Sequence, residues 1–253
     1  METEKLYKYL DFNDGVMMLH YSNLQFTNAT QLNDPFDCHP SLIDFSNVPK
    51  EACGGWTPEI IEELRRDPFR RTREEVWICS LSKIHDSILM WSYYVSIKVS
   101  ASVWTWRKFE IPFCMYGGIM IGCSEVEVQY KDIVEKPDYF RDAKDFFHYQ
   151  LSTKAKAWEH EQEVRLFILD PSPTYMALLP GQNDDKGPIA WKEVRAFPKI
   201  GGECFESVYL GINMNADERS KIISVVQKLN SDIKIYQMGI DANAFKLNTE
   251  LIK

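Results

Sequence analysis

Apolar and polar positions alternate from Lys5 to Leu10, with Leu6 and Lys8 set against Tyr7 and Tyr9, and this two-residue period predicts a strand. The polar run Asp11 to Gly15 reads as a turn after it. A second strand is predicted over Leu24 to Thr27, leading into Asn33-Asp34-Pro35-Phe36-Asp37, where Asn, Asp and Pro favour a fixed turn. Ile60, Ile61 and Leu64 recur at helical spacing between Thr57 and Arg73, with Thr57 placed to cap and Asp67-Pro68 to end or kink the helix.

Val76 to Leu81 reads as a buried strand, and Asp86 to Tyr94 as a helix with Asp86 or Ser87 at its start. Asp138 to Ala157 mixes Phe140, Phe146, Phe147, Tyr149 and Leu151 with many charges, the pattern of a long surface helix. Strands are predicted at Glu163 to Leu169, around Val194, at Ser207 to Leu210 and at Lys234 to Met238, with a helix over Asp217 to Leu229. A Pro- and Gly-rich loop covers Pro171 to Pro188. The sum is an α+β fold, a single mixed-sheet domain with flanking helices over residues 1–253.

Val95 to Phe113 fits neither period and carries Trp104, Trp106 and Phe109 among Lys, Ser and Thr. Codons for Ser96 to Ile111 read one frame over can encode a peptide with a turn, an apolar strand and a helix start, of which only part is forced: Trp104 followed by Thr105 must give Asp. Two compensating frameshifts would account for the segment, the alternative being a true insertion, and the segment is expected to be irregular or poorly packed.

Composition narrows the classes. Hydrophobic residues make up 45% of the chain and charged ones 26%, enough for a core and far from the balance that keeps chains disordered. A net charge of -8, with no long Lys/Arg run, removes the general attraction on which nucleic-acid binding relies. The Arg65, Arg66, Arg70, Arg71 and Arg73 cluster is interleaved with Glu62, Glu63, Glu74 and Glu75 and reads as a solvated helical face. The acidic start Met1 to Glu4 and the lack of a long apolar run lead us to expect a cytoplasmic protein with no membrane partner. Six cysteines without paired spacing suit free thiols, not a zinc site or disulfides.

The densest polar cluster runs from Lys154 to Arg165 and includes Trp158. If the strand begins at Glu161, then Glu161, Glu163 and Arg165 share one face at steps of roughly 6–7 Å. A carboxylate there could take a proton or hold a ribose hydroxyl, with Arg165 keeping it ionised; the bland alternative is a junction braced by pairs such as Glu161 with Arg165 or Lys156 with Glu159. Asn33, Asp34 and Asp37 form the second cluster, a structural turn or a partner to the first across one cleft, where Asp34, Asp37, Glu161 and Glu163 could serve a metal-dependent nuclease. His39 and His160 have no ligand spacing, and metal binding through them is not expected. Met90 to Tyr94 reads as helix packing, with Trp91 or Tyr93 able in the other reading to stack on a base or sugar, and Trp91 and Tyr94 are taken as binding candidates.

Five segments, Leu6 to Tyr9, Asn33 to Asp37, Cys79 to Ser82, Leu89 to Tyr94, and Lys156-Ala157-Trp158 through Glu161 to Arg165, stand in an order that resembles the family catalogued as domain of unknown function 2971. The resemblance spans nearly the whole chain and departs at Val95 to Phe113. It implies fold continuity and candidate positions, not a reaction. A first strand with aromatic and basic residues, a second carrying Thr27 and a late strand opening Glu-x-Glu are also similar in layout to ADP-ribosyltransferases. In that comparison Tyr7 or Lys8 stands where the usual His or Arg would be. It implies a nucleotide or other small-molecule ligand, with NAD as the substrate to consider. The competing reading is a non-catalytic binding or effector module whose polar residues only build its fold.

Overall fold

In the computed structural model the described residues are 5–47, 57–66, 73–93, 97–104, 113–116, 119–169 and 195–253. They form an α+β fold around one mixed sheet. The first strand, β1 (Lys5–Asp11), runs into helix α1 (Phe12–Tyr21), followed by β2 (Phe26–Asn28), α2 (Pro58–Arg66), β3 (Val76–Ser82), α3 (Ile88–Tyr93) and β4 (Ile97–Trp104). Four short strands come next: β5 (Phe113–Tyr116), β6 (Ile119–Gly122), β7 (Ser124–Glu127) and β8 (Gln129–Lys131). Helix α4 (Phe146–Ser152), β9 (Thr153–Ala155), a 3-10 turn (Lys156–Glu161) and β10 (Glu163–Leu169) carry the polar cluster. The chain closes with β11 (Arg195–Ala196), β12 (Phe205–Leu210), α5 (Ala216–Leu229), β13 (Lys234–Ile240) and β14 (Leu247–Leu251).

The main sheet runs β11-β2-β3-β1-β4-β12-β13-β14, with β10 on the other edge of β3 and β7 beyond it. Its neighbours are antiparallel except β12 and β13, which are parallel and joined through α5. One face is apolar: Leu6, Cys79, Val99, Ala101, Leu166 and Val208 join a single core with Leu19 of α1 and Ile222 of α5. The opposite face is aromatic and polar, with Tyr9, Ser100, Tyr209 and Tyr236 in one cross-strand row.

The sheet is split. Along one edge of β3, β2 pairs only at Trp77 and Ile78, and β1 only at Ser82. The other edge of β3 is covered by β10 from Val76 to Ser82. Cys79, Ser80 and Leu81 therefore face a gap between β1 and β2.

Several expectations are corrected. Asp11 to Gly15 is a helix start and not a turn: the Asp11 carboxylate accepts from the Asp14 N–H at 2.8 Å, so the polar run is a cap. The long helix expected over Asp138 to Ala157 is only α4. Asp138 accepts from the Phe140 N–H in a local turn, and beyond Ser152 the chain extends to pair in parallel with β8. Glu161 lies in the 3-10 turn and not on the strand, because Gln162 is left-handed (φ 43°) and β10 begins after it.

The stretch expected to be irregular contains β4, a central strand between β1 and β12. Val99 and Ala101 are buried on the apolar face while Ser100 takes the other, so the alternation is made with small residues and hydroxyls. Gly15 of α1 sits close over it: a Cβ there would stand 2.9 Å from Val99 Cβ. The chain's own residues supply the strand that the shifted frame was invoked to restore. Residues 94–96 and 105–112, with Tyr94 among them, lie outside the described residues, as do Arg70, Arg71 and the expected loop at 171–188. No helix among the described residues is long and apolar enough to cross a membrane.

Candidate functional site

The site is built where the split in the sheet meets the start of β10. Antiparallel pairing sets Tyr7 opposite Ser82 and Ser82 opposite Glu163, with Ser80 opposite Arg165. The 3-10 turn before β10 is tied to β3 by Ser82 Oγ donating to the Glu161 carbonyl at 2.7 Å and by the Lys83 N–H donating to the Gln162 carbonyl. The left-handed Gln162 reverses the chain between two glutamates, so both carboxylates reach one ammonium, that of Lys154 on β9.

Five charges form a closed network. Lys154 Nζ donates to Glu161 Oε2 at 2.6 Å and to Glu163 Oε2 at 2.8 Å, and lies 3.9 Å from Asp37 Oδ2. Arg165 grips Glu163 through Nε at 2.9 Å and Nη2 at 3.2 Å, and donates to Asp37 Oδ1 at 2.6 Å and the Leu151 carbonyl at 2.8 Å. Its side chain is 1% exposed, so nearly all of its donors must be satisfied inside the protein, and they are. The Glu163 backbone N–H donates to the Tyr130 hydroxyl at 2.8 Å.

Electrostatics divide the three carboxylates. Burial works to raise Glu163, but Arg165 and Lys154 outweigh it and hold the acid well below the usual carboxylate range. Burial pushes Asp37 and Glu161 up, with the nearby cations only partly opposing it. Burial also disfavours the Lys154 charge, yet Glu163, Asp37 and Glu161 together hold its pKa above that of an ordinary lysine. Two cations thus face three carboxylates, a surplus of one negative charge if all are ionised.

A cleft of about 350 Å³ opens beside this network, lined among others by Tyr7, Lys8, Asn33, Asp37, Glu161 and Glu163. Lys8 reaches across the split, its Nζ donating to the Ser80 carbonyl at 3.0 Å. Arg165 stands behind the lining, holding Glu163 and Asp37. Trp158 lies beneath Lys154, whose Nζ is 5.1 Å from the ring centroid. Trp91 packs edge-on to Tyr9, at 5.4 Å between centroids, and donates to the His85 carbonyl, so it supports a wall of the cleft without lining it.

Asp34 does not share the cleft. It is 4% exposed, Oδ1 accepts from the Phe36 N–H at 2.9 Å, and Oδ2 is buried without a hydrogen-bond partner among the described residues. The four-carboxylate arrangement considered from the sequence is therefore not made: Asp37, Glu161 and Glu163 close around Lys154 and Arg165. The expected braces also differ, since Glu161 pairs with Lys154 and not Arg165, and Lys156 with Asp132 at 3.4 Å.

Sequence reasoning missed Lys154 as the centre of the site, and missed Tyr9 and Ser82. A charge count was the available signal, because three carboxylates brought inside with one arginine require a second cation. Comparison with protein-family models, curated proteins and solved structures returns no match, so the geometry of the split sheet carries the functional reading.

Proposed function

We propose that the cleft between β1 and β2 binds a nucleotide, with NAD the leading substrate, and that Glu161 acts on its ribose in an ADP-ribosyltransferase-like reaction. The observation that carries this reading is the difference between the two glutamates. Glu163 is 2% exposed and locked by two cations, whereas Glu161 is 13% exposed, sits on the cleft wall and has its pKa raised by burial. Glu161 is thus the carboxylate able to meet a ligand. Glu163, Arg165 and Lys154 are positioning residues that fix its place and charge.

In the proposed step the bond between the ribose C1′ and the nicotinamide nitrogen breaks, and nicotinamide leaves with the bonding electron pair. The ribose becomes oxocarbenium-like, and a hydroxyl of the acceptor, or water, adds at C1′ and loses its proton to Glu161 or solvent. Membership of the domain of unknown function 2971 family is part of the same proposal, resting on the five segments named above. The effector-module reading draws on the sealed state of Glu163 and Arg165, which suits a scaffold as well as a support.

Nicotinamide release from NAD, followed by chromatography with the purified chain, tests the proposal. Glu161→Gln is expected to abolish release while leaving the melting temperature within a few degrees of the parent. Undiminished release by Glu161→Gln, or none by the parent protein with a range of acceptors, would overturn the reading.

A further inference from the structure

A second cavity of about 270 Å³ adjoins the first and shares Lys8, Leu10, Asp14 and Gln25 with it. The two lie on opposite sides of the sheet. The first holds Tyr7, Tyr9 and the carboxylates of the aromatic face; the second holds Met17, Met18 and Tyr21 of α1, which covers the apolar face, together with Phe197. The shared residues are the waist, at the split where β1 and β2 part along β3.

The second cavity has a rim that packing does not require. Met17 is 51% exposed, Tyr21 47% and Phe197 45%, three large apolar side chains around one opening. The backbone behind two of them is fixed. Tyr21 is the last residue of α1, closed by a left-handed Ser22, and the segment after Phe197 is zipped to it. The Leu24 N–H donates to the Pro198 carbonyl at 3.1 Å, and the Ile200 N–H to the Ser22 carbonyl at 2.8 Å. Two aromatic rings and a thioether, presented from a fixed backbone, suit a flat heteroaromatic ring.

We propose that the ligand passes through the split sheet and is a dinucleotide: its ribose lies on the Glu161 side, its pyrophosphate at Lys8 in the waist, and its second base against Tyr21 and Phe197. This rests on the nucleotide reading above and adds which part of the ligand goes where. The waist also decides against longer phosphate chains. Among the described residues Lys8 is the one cation that both chambers share, and Asp14 stands with it, its N–H bonded to the Asp11 carboxylate. A pyrophosphate diester carries fewer charges into that mixed waist than a triphosphate does.

Isothermal titration of the full chain with NAD, nicotinamide mononucleotide, AMP and ATP tests the inference, using Tyr21→Ala, Phe197→Ala and Phe197→Trp. NAD is expected to bind at least about tenfold more tightly than either mononucleotide or ATP. Each alanine variant should weaken NAD and AMP about tenfold and leave nicotinamide mononucleotide unchanged, with Phe197→Trp restoring NAD affinity. Both side chains are half-exposed, so unchanged melting curves should accompany the loss.

Equal affinities for NAD and nicotinamide mononucleotide, or unaltered NAD affinity in both alanine variants, would overturn it. If Glu161→Gln stops nicotinamide release but the rim variants bind NAD like the parent, the ribose chemistry stands and the passage through the sheet falls. If the rim variants lose NAD but no turnover is found, the passage stands and the chemistry falls. Absence of binding by all four probes overturns both.

Discussion

Lys154 Nζ lies 2.8 Å from Glu163 Oε2 with both side chains sealed from solvent, and this pair fastens β9 to the start of β10. Removing the ammonium by Lys154→Met leaves Asp37 and Glu163 to Arg165 and strips Glu161 of the ammonium it pairs with. Breaking a buried pair from one side costs about 3–5 kcal/mol, and a loss of that order is expected in urea unfolding. Adding Glu161→Gln to Lys154→Met should recover part of the loss, because it removes one of the stranded charges. A double change no more stable than Lys154→Met alone would show that Glu161 contributes nothing to the network.

Much of this arrangement was legible in the sequence, and its failures have physical causes. The alternation in Lys5 to Leu10 and Glu163 to Leu169 identified β1 and β10 because one side-chain period maps onto one sheet. Asn33, Asp37, Glu161 and Glu163 do converge on one cleft with Tyr7 and Lys8. What stayed hidden depended on long-range pairing. Lys154 looks like a surface lysine until β9 pairs with β8, and β4 looks like a loop because its polar face is serine and its buried face small. The split is likewise invisible in any single segment, since it arises from where β1 and β2 stop pairing with β3.

The same network predicts a two-limbed acid profile. A carboxylate held low in the folded state, as Glu163 is, stabilises the fold above its unfolded pKa of about 4.3, and that stability is lost as pH falls through the folded value. Asp37 and Glu161 have the opposite sign. Their folded values are raised, so the folded state takes up their protons first, and lowering the pH from neutral toward about 4 stabilises the protein through them. Urea midpoints are expected to rise gently on mild acidification and then to fall at lower pH. Asp37→Asn should flatten the first limb and cost less at neutral pH than Glu163→Gln does. A profile for Glu163→Gln superimposable on the parent's would show that Glu163 is not the acid-labile group.

The close packing of α1 on β4 is open to a direct test at Gly15. Gly to Ala inside a helix ordinarily gains about 0.5–1 kcal/mol, because glycine loses more backbone freedom on folding. Here the new methyl would meet Val99 Cβ at 2.9 Å and Cγ2 at 3.0 Å, so the overpacking cost of about 1–3 kcal/mol should dominate. Gly15→Ala is expected to lower the melting temperature, and Val99→Ala in the same chain to restore much of it. A stabilised Gly15→Ala would mean that β4 does not run beneath α1.

Lys8 separates scaffold from ligand. Its ammonium bridges the split to the Ser80 carbonyl, a bond whose loss costs the fold only about 1 kcal/mol, since the partner faces an open cleft where water can replace the donor. The charge itself is not replaced by water, and a phosphate in the waist would lose its nearest cation. Lys8→Met should therefore leave the urea midpoint close to the parent's while weakening NAD about tenfold or more. Its affinity should also depend less on salt, because one charge contact has gone. Lys8→Arg keeps the charge and should keep most of the affinity. A Lys8→Met protein that binds NAD like the parent, with the same salt dependence, would remove the pyrophosphate from the split.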